Sequence, residues 1–199
     1  MTSSDSRPAF RASLLPLALI VAAAVFRWAK LKGYVTVEAL ENFTPWMALA
    51  FTGTLIFSKR VPFLLIPLLL AAVDITATGF HGEALTVYLC FGIAALLASR
   101  WRGRMGMVGT LLGVAGCSLL FYLTTNTVAW LSNPAYAKNF AGWVQALTTG
   151  EPGYLPSWYF LRNSLLSDLG FSLLLLAAYN TEAAFRQQQR IPLRQPLAA

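Results

Sequence analysis

The chain has 199 residues, 57% of them hydrophobic and 12% charged, with a mean hydropathy of +0.58, against roughly 25% charged residues in a soluble domain. That balance excludes an ordinary soluble domain and points to an integral membrane protein. The net charge of +7 and pI near 9.8 do not indicate nucleic acid, because the basic residues cluster in short loops between apolar runs, where they set topology.

A hydrocarbon core about 30 Å thick takes roughly 17 to 25 apolar helical residues per crossing. Six runs meet or nearly meet that length, at 11–29, 43–58, 62–80, 84–99, 105–131 and 160–184, which predicts one all-α membrane domain of six transmembrane helices. The first run follows Arg7 and Arg11 and contains Ala22-Ala23-Ala24, an arrangement a signal peptide would also show. Five further runs favour an uncleaved helix. Ala18 and Ala22 form a small-xxx-small pair on it, suited to close helix contact with the bundle or with another protein. The second and fourth runs are short and require an upright setting or a locally thinned bilayer.

Polar residues inside such runs carry the functional signal, because hydrocarbon makes an unpaired polar side chain costly. Asp74 lies late in the third run, His81 follows in the turn Gly79-Phe-His-Gly82, and Tyr88 opens the fourth run. Cys90 and Cys117 match no metal-ligand spacing and read as small buried hydrophobes. Gly106, Gly109, Gly113 and Gly116 form a stripe on the fifth run that predicts a close neighbouring helix. Asn126, among threonines, falls in the same run's second half. The loop 132–159 contains an amphipathic segment, 136–148, expected to lie at the interface or over the bundle mouth. In the sixth run Ser164, Ser167 and Asp168 share a helical face, with Arg162 and Asn163 beside them.

Ten of the fifteen Lys and Arg residues fall on the side of both termini, which the positive-inside rule makes cytoplasmic. Asp74, Tyr88, Asn126, Asn163 and Asp168 then all lie in the outer half. This asymmetry favours an external binding cavity over a channel. Each group also has a structural reading: Asp168 pairing with Arg162 or accepting from Ser164, Asp74 meeting a partner from another span, Asn126 satisfying backbone, Tyr88 joining the aromatic belt. No zinc, GxSxG or phosphate-loop motif is present, and the sequences around the two aspartates do not suggest an intramembrane protease, so an enzyme is not expected and no cofactor or metal is indicated.

The series Glu41-Asn-Phe-Thr-Pro45, Asp74, Gly79-Phe-His81, Val87-Tyr88-Leu-Cys-Phe91, Leu123-Thr-Thr-Asn126, Tyr136-Ala-Lys-Asn-Phe-Ala-Gly142 and Arg162-Asn-Ser-Leu-Leu-Ser-Asp168 resembles an uncharacterised family of small bacterial six-span proteins. That family is similar to the substrate-binding S-components of energy-coupling-factor vitamin transporters, the solitary cobalamin S-component above all. The resemblance runs from about residue 41 to 172. It implies an S-component-like bundle in the bacterial cell (inner) membrane, a ligand held near the outer face, and Ala18 and Ala22 as the contact for a transmembrane coupling subunit driven by ATPases. Cobalamin is a candidate solute, although the cysteine that ligates cobalt in the cobalamin protein has no counterpart here; the loop holds His81 and Glu83.

The expectation is a substrate-binding component for uptake of a small vitamin-like solute. Asp74, Tyr88, Asn126, Asn163 and Asp168 would line its pocket, with Arg162 facing either Asp168 or an anionic ligand, His81 at the mouth and 136–148 as a lid. Two alternatives stand beside it. One is an accessory structural subunit of a larger membrane complex, its surface meeting membrane lipid and partner proteins. The other is a proton-coupled small-solute carrier titrating Asp74 or Asp168.

Overall fold

The computed structural model describes residues 14–36, 43–57, 61–80, 82 and 84–194, so His81, Glu83 and the loop 37–42 lie outside the described residues. Among those described, all regular structure is helical. Helix α1 is Leu14–Leu31. Helix α2 is π-helical over Ala48–Gly53 and continues as an α-turn over Thr54–Ile56. Then come α3 (Leu65–Thr78), α4 (Ala84–Arg100), α5 (Met107–Ser132), the short α6 (Phe140–Leu147) and α7 (Ser157–Phe185). Apart from α6 the helices alternate in direction. The end at which α1, α3 and α5 finish is called the upper end.

Three of these helices, α1, α5 and α7, are long and apolar enough to cross a membrane. Helices α3 and α4 are apolar but shorter, 14 and 17 residues, about 21 and 26 Å at 1.5 Å per residue. Helix α2 is shorter still, and its brevity goes with its position. Every residue from Trp46 to Phe57 is buried, and α2 touches α1, α3, α4, α5 and α7. Its small residues, Ala48, Ala50 and Gly53, let neighbours approach closely on all sides; an added Cβ on Gly53 would sit 3.4 Å from the Ile20 side chain. The wide π turn is one that often marks functional sites.

The glycine stripe expected on α5 resolves into one working contact. The Phe51 ring of α2 fills the space over Gly113, where an added Cβ would lie 2.5 Å from Cζ. Gly116 has nothing within 4 Å, and Gly109 faces only the Met105 side chain of its own chain segment. Spacing put the glycines on one face, but of Gly109, Gly113 and Gly116 only Gly113 lies opposite a side chain of another helix.

Helix ends leave unpaired amides or carbonyls, and inside an apolar bundle these need partners. The chain supplies them from far away in sequence. At the upper end of α2 the Asp168 carboxylate of α7 accepts the Ala48 N–H at 3.0 Å, and the Met47 N–H also bonds to it. At the lower end the Arg102 guanidinium, from the α4–α5 loop, donates to Thr54 O at 2.7 Å and to Val61 O at 2.8 Å. Burial lowers the Arg102 pKa from its ordinary value, a cost that these charge-assisted bonds and the helix dipole oppose. Glu182, near the lower end of α7, accepts the Leu15 N–H of the first turn of α1 at 2.8 Å and pairs with Arg186 at 2.7 Å. Finally, the segment after α7 folds back so that Pro192 O and Leu193 O accept the Met107 and Val108 N–H groups opening α5. Asn180 clasps this segment through both bonds to the Ile191 backbone, 2.8 and 3.0 Å.

Candidate functional site

Alternation of the helices brings the end of α1, the start of α2, the last turns of α3 and the first turns of α4 and α7 to the upper end. Between them lies a cavity of about 270 Å³ lined by Arg27, Thr44, Trp46, Met47, Asp74, Ala84, Val87, Phe121, Ser164 and Asp168. Both aspartates singled out from the sequence therefore face one space. Their environments differ.

Asp168 is 2% exposed and fully engaged. Besides the α2 amides it accepts the Ser118 hydroxyl of α5 at 2.6 Å. One turn further along α7, Ser172 shares a hydrogen bond with Thr52 of α2 at 2.9 Å, so the 168/172 pair on α7 matches the 48/52 pair on α2 at the same i, i+4 spacing. The expected alternative of an Arg162 partner does not occur.

Asp74 is only part-engaged. Its Oδ1 accepts Arg27 Nε at 3.3 Å, with side-chain exposures of 13% and 19%. The Arg27 guanidinium also stacks over the Trp46 indole, 4.7 Å from the ring centre, and Trp46 in turn packs on Phe91 at 5.4 Å. Tyr88 lies within electrostatic range of both Asp74 and Arg27. Its hydroxyl is buried and has no hydrogen-bond partner among the described residues, and Tyr88 itself is not among the residues that line the cavity.

The other expected pocket residues are placed elsewhere. Asn126 donates to Tyr122 O of its own helix at 2.8 Å, as a polar side chain does when no neighbour is in reach. Arg162 is exposed, with its guanidinium 3.8 Å from the Tyr159 ring centre, and donates at 3.0 and 3.2 Å to Asn163 Oδ1. Asn163 is buried but does not line the cavity. His81 lies outside the described residues. Helix α6 does not serve as the expected lid. It packs on α5 and α7, with Tyr122 donating to Leu147 O and Trp143 Nε1 to Thr127 Oγ1 at 3.0 Å, and none of its residues lines the cavity.

Arg27, Trp46, Thr44 and Phe121 line the cavity without being singled out by the sequence. Arg27 reads only as an outer-side charge near the end of the first apolar run, and the depth at which a residue near a helix end sits is not written in its neighbours. A Trp immediately after Pro45 was a usable signal, since that position opens a helix whose neighbours are all apolar.

Among the described residues no group of three or more His, Cys, Asp or Glu side chains is placed to hold a metal ion. Ala18 and Ala22 are both exposed on α1, and Ala22 borders an apolar groove of about 440 Å³ between α1 and α7.

Fold and site together define an all-helical, membrane-type bundle with a small polar cavity at one end, built around an enclosed central helix. The chain belongs to a family of unknown function (DUF6580), whose model matches residues 8–191. No curated protein and no solved structure matches it.

Proposed function

We propose that this protein is the solute-binding component of an uptake system in the bacterial cell membrane, crossing it six times with both termini cytoplasmic and the cavity opening outward. The observation that carries this reading is the Arg27–Asp74 pair. It lines a cavity, and each partner has polar atoms that no other described residue uses. A pair that only locked α1 to α3 would gain most from closing its fork over both carboxylate oxygens. The exposed Ala18/Ala22 strip on α1 suits a transmembrane coupling subunit that brings ATPases, as the likeness to S-components implies.

The volume narrows the solute. About 270 Å³ is the liquid volume of roughly nine waters and falls just below the usual range for drug-sized ligands, about 300–1,000 Å³. A one-ring or two-ring vitamin-like solute suits it. A corrin would extend beyond this cavity, so the smaller solute is the one proposed.

Native mass spectrometry of the gently purified protein tests the reading. A co-purifying small molecule that disappears in Asp74→Ala supports it. A bare chain recovered only inside a larger assembly overturns it in favour of an accessory structural subunit, a reading that the complete engagement of Asp168 favours. Fusion of a fluorescent protein to the C-terminus tests the orientation; fluorescence is expected only with that terminus in the cytoplasm.

A further inference from the structure

The geometry points to a zwitterionic solute: a small molecule with a carboxylate and an ammonium group close together on an apolar body, in the manner of an amino acid. This rests on the solute-binding reading and concerns the same cavity.

The Arg27–Asp74 contact uses one atom from each side. Nε and Oδ1 meet at 3.3 Å, and neither side chain makes a hydrogen bond through its remaining polar atoms among the described residues. Stacking on Trp46 occupies the face of the guanidinium and leaves its edge, where the two terminal amino groups form a planar fork suited to a carboxylate. Asp74 Oδ2 is likewise available, and as an ionised acceptor it suits an ammonium. The open fork and the open oxygen belong to side chains already in contact, so their complements must sit side by side on the ligand.

Charge balance favours the same class. Among the described lining residues Arg27 and Asp74 cancel, and Asp168 is compensated by the amides at the head of α2 and by Ser118. A solute with a single net charge would bring an uncompensated charge into a partly buried site. A neutral solute without ionic groups would leave the fork and Oδ2 unpaired. Trp46, Met47, Val87 and Phe121 line the cavity with apolar surface, which fits a hydrocarbon or aromatic body.

The test is binding to the purified full-length protein in detergent, read by calorimetry, of leucine, phenylalanine and tryptophan against 3-phenylpropionate and phenethylamine. At least one zwitterion is expected to bind at least about ten-fold more tightly than either single-charge analogue, the equivalent of roughly one charge-assisted hydrogen bond. Arg27→Gln is expected to weaken the zwitterion about ten-fold while phenethylamine, now facing an uncompensated Asp74, binds no more weakly; Asp74→Asn is expected to weaken the zwitterion likewise while 3-phenylpropionate binds no more weakly. Arg27→Lys, which keeps the charge and removes the fork, supplies a second variant if Arg27→Gln is not recovered folded. Tighter binding of a single-charge analogue, or no binding of any zwitterion, overturns the assignment. A singly charged or uncharged solute found by native mass spectrometry would also overturn it while leaving the uptake reading intact.

Discussion

Asp168 and Arg102 hold opposite ends of the same buried helix. The carboxylate receives the amides that open α2, and the guanidinium donates to the carbonyls that close it. Each charge lies at the end where the helix dipole favours it. Neither is paired with the other, and each replaces water that the bundle interior excludes.

Removing the acidic anchor is expected to cost more than removing most single contacts. Asp168→Ala strands the Ala48 and Met47 N–H groups in a dry interior, while the Ser118 hydroxyl keeps Val114 O as an acceptor at 3.0 Å, a loss of about 3 kcal/mol. Asp168→Asn keeps an acceptor for the amides and is expected to lose about half as much. Thermal unfolding of the detergent-solubilised protein, followed by tryptophan fluorescence, measures both; an unchanged midpoint in Asp168→Ala would remove α2 capping from the account.

At the lower end, Arg102→Lys is expected to destabilise by about 1–2 kcal/mol, because a single ammonium on a flexible stem does not reproduce a planar donor set spanning Thr54 O and Val61 O. Hydrogen exchange should rise at residues 54–57, the last turn of α2, where the Thr54 carbonyl loses its partner. Equal exchange in the two proteins would contradict this.

Gly113→Ala is expected to cost about 1–3 kcal/mol through collision with Phe51. Combining it with Phe51→Leu should recover part of that loss, giving a coupling energy in a double-mutant cycle. Simple additivity would mean that the two positions do not meet. Gly116→Ala, over open space, is the internal control and should be close to neutral.

Arg27→Gln should separate stability from function. The Arg27–Asp74 pair is part-exposed and joined by one long bond, so its loss is expected to cost no more than about 1 kcal/mol. Under the solute-binding reading the same variant loses its co-purifying solute. A large drop in the unfolding midpoint with the solute retained would make the pair a structural lock.

How far the sequence disclosed this arrangement depends on what each signal measures. Apolar length gave the helical segments, because backbone satisfaction in a dry environment demands helices. Asp74 and Asp168 stood out because charge inside an apolar run is rare, and both line one cavity. The central place of α2 was hidden: a helix enclosed by protein and a helix facing lipid are both apolar all round, so composition does not separate them. Arg27 was hidden for a related reason, since a charge near a helix end reads as a topology signal whether it reaches solvent or turns inward to an aspartate. Asn126 misled in the opposite direction, because a polar side chain inside a span can spend its hydrogen bond on its own backbone.

Two helices of this bundle begin before the groups that complete them exist. The first turn of α1 is finished by Glu182, and the first turn of α5 by the carbonyls of Pro192 and Leu193. During synthesis those amides have to be satisfied in some other way until Glu182 and the segment after α7 have emerged. A polypeptide cut short directly after α7 therefore carries every described helix yet leaves the head of α5 open.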